Sequence, residues 1–159
     1  MTIAMPVGSG GKLLLACDHS EGSRRALALG IELAGALGYA VTGAHVFNAR
    51  MHEGAFRVME PTLPPAYQSE SFLTQQRDFH NTMIYKGLEM ISRSYLEPAL
   101  RACADRGIPF DPIVREGKNY EGLLAIAKEG AYDLILLGAT GLVGRPAGLL
   151  GSVCQRVLR

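Results

Sequence analysis

Short uninterrupted apolar runs alternate along this chain with longer stretches in which apolar residues recur every three or four positions. Leu13-Leu14-Leu15-Ala16-Cys17 is a run of the first kind, the pattern of a strand covered by helices on both faces of a parallel sheet. Ala40–Phe47, the stretch after Gly107 and Asp133–Leu137 read as further strands, so strands are predicted near 12–17, 40–47, 109–115 and 133–138, the last being the most apolar. Between the first two, Ala26, Leu27, Ile31, Ala34 and Leu37 have helical spacing. Ser20 and Ser23 are available as caps, and Gly38 as a stop. Residues 48–72 carry Pro61, Pro64 and Pro65 and no sustained periodicity, which predicts an irregular insertion or lid. Helical spacing returns over 72–106, where Pro98 should kink the helix and Gly107 close it. Asn119 can cap a further helix carrying Leu123, Leu124 and Ile126, ended by Gly130.

Strands separated by helices imply an α/β fold, an open parallel sheet wound on both faces. Pro109 and Pro112 cannot donate ladder hydrogen bonds, so the third strand belongs at an edge. With right-handed crossovers the economical strand order is 3-2-1-4. Strands one and four then flank the point where the winding reverses, and ligands of open parallel sheets bind beyond the carboxyl ends of the strands there. Asp18 and the loop starting at Gly138 are therefore the expected site before any motif is consulted.

At 159 residues the chain has room for a single domain spanning 1–159. Its 48% hydrophobic and 19% charged residues can build a core, and scattered charges summing to +1 provide no basic field for nucleic acid or an anionic membrane. No run approaches 18 apolar residues and Met1–Gly11 lacks the features of a signal peptide, so the expectation is a soluble, cytoplasmic protein. Cys17, Cys103 and Cys154 form no CxxC and the four histidines no HxxxH, so neither a disulfide framework nor a metal site is expected. His19 and His45 read as packing residues.

The chemistry concentrates after strand four, where Gly138, Gly141, Gly144, Gly148 and Gly151 recur within one loop and Gly151-Ser152 opens a helix. Absent side chains allow a polyphosphate to approach backbone N–H groups, and a helix start favours an anion. Neither GxxxxGK[ST] nor a GxGxxG after strand one is present. The plain alternatives are a glycine-rich turn that merely packs and, for Asp18, a helix-capping carboxylate.

The spacing Gly138-x2-Gly141-x9-Gly151-Ser152 resembles the G-2x-G-9x-G(S/T) signature of the ATP-binding branch of the universal stress proteins. Leu15-Ala16-Cys17-Asp18-His19-Ser20-Glu21, His45-Val46 and Glu116-Gly117 resemble further features of that family. The resemblance implies a nucleotide-binding, usually dimeric α/β module with ATP across the ends of strands one, two and four. By that resemblance Asp18 holds the ribose or a metal-bound water, flanked by Ala16 and Cys17, and Val46 contacts the adenine. Leu137 and Gly138 border the ribose and α-phosphate, and Gly141 gives the loop room. Gly151, Ser152 and Val153 hold the phosphates, and Arg145 is the nearest free cation. Two departures stand out. Cys154 replaces a hydroxyl common in nucleotide binders, and the family's fifth strand is missing from this chain, as in a C-terminal truncation. The implied cofactor is ATP, or ADP or AMP, with or without Mg, and the implied partners are a second copy and an unnamed protein. Beyond Asp18 and Arg145 there is no evident catalytic base, so the expectation is a stress-response or regulatory module with slow or no hydrolysis. The alternatives are an ATP hydrolase or nucleotidyl-transfer enzyme of the same superfamily, and a dimerisation module that binds no nucleotide.

Overall fold

The computed structural model describes residues 10–142 and 149–159. Four parallel strands, β1 (Lys12–Ala16), β2 (Ala40–Phe47), β3 (Phe110–Glu116) and β4 (Leu134–Leu136), form one sheet in the order 3-2-1-4. The helices are α1 (Glu21–Leu37), α2 (Arg50–Met59), α3 (Glu70–Ala104), α4 (Asn119–Gly130) and α5 (Ser152–Val157).

The strand order follows from the residues. Val41 N–H donates to the Pro109 carbonyl and Gly117 N–H to that of Phe47, so the odd-numbered residues of β3 face β2. Pro112, an even one, turns its missing donor to the open edge, the place where a proline costs the ladder nothing. Leu13 and Leu15 point to one face of the sheet and Leu14 to the other, as a period of two requires. Leu13 and Leu15 pack with Ile31 and Ala34 of α1 and with Leu96, Ala99 and Cys103 of α3. Leu14 packs with Ala44, Val46, Leu123 and Ile126 beneath α4. Helices α1 and α3 share a face because the chain moves in one direction from β1 through β2 to β3. The return to β4 reverses that direction, so right-handedness sends α4 to the opposite face.

Ser20 caps α1, accepting from the Ser23 N–H at 3.1 Å, and Gly38 ends it in the left-handed conformation at φ 67°. Asn119, in contrast, is not a cap. It is the first residue of α4 itself, behind Lys118, and its side chain makes no capping bond. The irregular insertion expected over 48–72 is also corrected, since α2 and two single 3₁₀ turns occupy much of it. Their order comes from α3. The Phe56 ring stacks on His80 at 4.5 Å, and Arg77 binds Glu60 through both carboxylate oxygens at 2.6 Å and Glu70 at 3.0 Å. The Glu60 and Phe56 contacts bridge 17 and more positions, beyond the reach of any local periodicity. Helix α3 runs without interruption through Pro98 where a kink was expected. Among the described residues no helix is long and apolar enough to cross a membrane, and no cluster of His, Cys, Asp or Glu could hold a metal ion.

Candidate functional site

Strand β1 ends at Ala16, and the next residues are shaped by the need to turn into α1. Asp18 Oδ1 accepts from the Ser20 N–H at 3.0 Å, and the Ser23 hydroxyl accepts from the Asp18 N–H at 3.3 Å. His19 has a positive φ of 60°, rare for a residue with a side chain, which lets the chain reverse while its ring stacks on Tyr95 of α3 at 5.5 Å. With Oδ1 engaged, Oδ2 of Asp18 faces the loop after β4, 3.3 Å from where a Cβ on Gly141 would stand.

That loop is tied down at both ends. The Gly151 N–H donates to the Ala139 carbonyl at 2.7 Å and the Ser20 hydroxyl to that of Thr140 at 3.3 Å. At its start, a Cβ on Gly138 would lie 2.7 Å from the carbonyl carbon of Gly22 and 2.8 Å from the Ser23 nitrogen. Gly138 is therefore required by backbone packing against the first turn of α1, whatever the loop binds. Gly141 differs, because among the described residues outside its chain neighbours Asp18 Oδ2 is the sole heavy atom within 4 Å of its missing Cβ.

Between these elements and α4 lies a cleft, open to solvent at its mouth, with an enclosed volume of about 130 Å³. Ala16, Cys17 and Asp18 line it from β1, Val46 from β2, and Leu137, Gly138 and Gly141 from the end of β4 and its loop. Gly151, Ser152 and Val153 complete it. The structure thus gathers in one cleft the residues singled out from the sequence, apart from Arg145, which lies outside the described residues. Ala44, His45, Asn119, Leu123 and Cys154 also line it. Of these, Asn119 was read only as a cap, and nothing in the linear pattern would place it here. Helix α5 has six residues, too few for its dipole to be the principal attraction for an anion, so the loop backbone and the Ser152 hydroxyl remain as the polar groups at this end.

The cleft is polar at one end and apolar at the other. Asp18, Gly141, Gly151 and Ser152 form the first end, and Ala44, Val46, Leu123 and Val153 the second. Pairing of β1 with β2 stops at Ala16 opposite Ala44 except for a last bond from Cys17 N–H to the Ala44 carbonyl. The N–H and C=O of Val46 point the same way, two residues on, beyond the end of that strand. Burial pushes the Cys17 thiol up to about 12, so it stays neutral at physiological pH. All three cysteines are free and buried.

His45 does not offer its ring as a base. The imidazole sits edge-on to Tyr95 at 5.0 Å, with Nδ1 in hydrogen-bond reach of the Cys17 carbonyl oxygen, and burial holds its pKa below the ordinary imidazole range. The neutral ring thus donates from Nδ1 and braces the end of β1. Because the folded state binds this proton less readily than the unfolded chain does, the contribution is complete above about pH 6.5 and fades as pH falls below it. His45→Gln should flatten the decline in unfolding midpoint between pH 7 and pH 5. An unchanged slope would remove His45 as its source.

Residues 11–159 match the universal stress protein family, and the chain belongs to it. It is 28% identical over 146 residues to the universal stress protein YxiE of Bacillus subtilis, an alignment covering 92% of this chain and 90% of that protein. Among solved structures, the hypothetical protein MJ0577 superposes with a TM-score of 0.67 at 22% identity, covering 93% of this chain and 88% of the other. A universal stress protein in complex with cAMP superposes with a TM-score of 0.57 at 18% identity, covering 96% and 90%.

Proposed function

We propose that this universal stress protein binds an adenine nucleotide, ATP or a close relative, as a regulatory module with slow or no hydrolysis. The observation that carries the reading is the two-ended cleft at the point where the sheet reverses its winding. The apolar end has the chemistry for a planar base, and the backbone groups of Val46 complement the N1 and 6-amino edge of adenine. Asp18 Oδ2 is free of the bond that engages Oδ1, and a carboxylate oxygen there suits ribose hydroxyls. Beyond it the Gly138–Gly141 turn, Gly151 and Ser152 bring backbone and hydroxyl groups to a phosphate. A relative of this fold crystallised with cAMP supports an adenine ligand.

Among the described residues Asp18 is the sole carboxylate in the cleft, so a Mg ion would be held by Asp18 and the phosphates, supplying charge neutralisation to the tail. Hydrolysis needs a group that orients water at the terminal phosphate and a strong positive clamp. Of the described arginines nearby, Arg24 and Arg25 are bound to Glu21, and Arg156 lies over the Tyr120 ring at 4.4 Å.

Calorimetric titration with ATP, ADP, AMP and cAMP tests the reading, with saturable binding of at least one expected. A chain that binds none of them is not a nucleotide module. Chromatography of ATP incubated with the protein should show little ADP beyond a protein-free control, and rapid conversion would make it an ATP hydrolase. Ser152→Ala should weaken ATP binding by about 1–2 kcal/mol, the scale of one hydrogen bond to a charged group. Unchanged affinity would take Ser152 off the phosphate.

A further inference from the structure

Resting on the adenine-nucleotide reading above, one side chain of the cleft remains without a role. Asn119 lines it, yet it neither caps α4 nor takes part in any side-chain hydrogen bond among the described residues. Its position is set by the helix. Gly122 and Leu123 are buried against the sheet, and a Cβ on Gly122 would come within 2.6 Å of Val46 Cγ1. Residues three and four apart share a helix face, so Asn119 stands on that same face one turn nearer the N-terminus. That turn carries it past Val46 to where β1 has ended and the backbone edge of Val46 is left open.

We propose that Asn119 is the base-selecting side chain of this cleft, its carboxamide pairing with N7 and the 6-amino group of adenine and rejecting guanine. A carboxamide offers a donor and an acceptor side by side, and an asparagine amide makes just this bidentate pair with adenine, Nδ2–H to N7 and the amino group to Oδ1. The 6-amino group has two protons. One serves the Val46 carbonyl on the Watson–Crick side and the other serves Oδ1 on the N7 side, so the two recognitions do not compete. Guanine presents acceptors at both O6 and N7. Against it Oδ1 faces O6, acceptor to acceptor, and the Val46 pair is mismatched as well. The rest of the base-binding end is apolar and indifferent to which purine it holds.

The test uses the full chain, with ATP, GTP and 7-deaza-ATP each titrated into wild type and into Asn119→Ala and unfolding midpoints recorded alongside. Wild type should bind ATP more tightly than GTP. Replacing N7 by carbon, or removing the amide, should each weaken ATP binding by about tenfold, the worth of one bidentate base contact, and the two losses should not add. GTP affinity should rise on Asn119→Ala, because the acceptor-to-acceptor contact with O6 is removed. Asn119→Asp keeps the size and suits a helix start but sets a carboxylate against N7, so it should lose ATP affinity with no loss of midpoint. The inference is overturned if 7-deaza-ATP binds wild type as ATP does, if both variants retain full ATP affinity, or if ATP and GTP weaken together. Binding of no nucleotide by wild type would instead bring down the reading on which it rests.

Discussion

Gly141→Val should severely weaken the proposed nucleotide binding and leave the unfolding midpoint where it was. The backbone at Gly141 is not in the left-handed region, so a valine is conformationally permitted. Its Cβ would meet Asp18 Oδ2 at 3.3 Å and, among the described residues beyond its chain neighbours, nothing else within 4 Å. The added carbons therefore project into the space assigned to ribose and phosphate. Forcing a ligand to share space already occupied costs about 3 kcal/mol at the upper end of the overpacking range, a loss of roughly a hundredfold in affinity. Gly138→Val is the control. There the new Cβ collides with the backbone of Gly22 and Ser23 at 2.7 and 2.8 Å, atoms that cannot move without shifting α1, so that variant should lose stability. A Gly141 variant that binds normally would show the loop to be a packing device alone.

Leu14→Ala should lower the unfolding free energy by about 2–5 kcal/mol, a large share of the roughly 5–15 kcal/mol that holds a domain together. Leu14 is fully buried in the middle of β1, between Thr42 of β2 and Ile135 of β4. Its side chain anchors the cluster beneath α4 that also holds Ala44, Val46, Leu123 and Ile126. The neighbours that would have to close the cavity are themselves fixed to strands and to a helix, so little relaxation is available. Urea denaturation measures the change, and a loss below about 1 kcal/mol would mean that this layer collapses freely around the gap.

What was legible in the chain is what depends on near neighbours. The four apolar runs, the serine cap at Ser20 and the stop at Gly38 are local matters of hydrogen bonding and φ. Pro112 extended that legibility to topology, because its missing donor has to face an open edge, whereas Pro109 precedes β3 on the β2 side and carries none of that argument. With the edge placed, handedness left the ends of β1 and β4 as the site, and the glycine loop fell there.

What the sequence by itself determined is thus the succession of the four strands with α1, α3, α4 and α5, the sheet order and the end of the sheet at which the cleft opens, since each follows from local patterning, backbone valence and chirality. Only the tertiary structure decided the roles that depend on residues far apart in the chain. Helix α2 takes its order from Arg77 and His80 of α3. Gly138 is required by Gly22, more than a hundred positions earlier, and the His45 ring turns away from catalysis to Tyr95 and the Cys17 carbonyl. Asn119 resembles a cap in the linear pattern and becomes a wall of the cleft because α4 begins one residue sooner and Gly122 lets the helix descend onto Val46. Burial and close approach are properties of surfaces that meet only after folding.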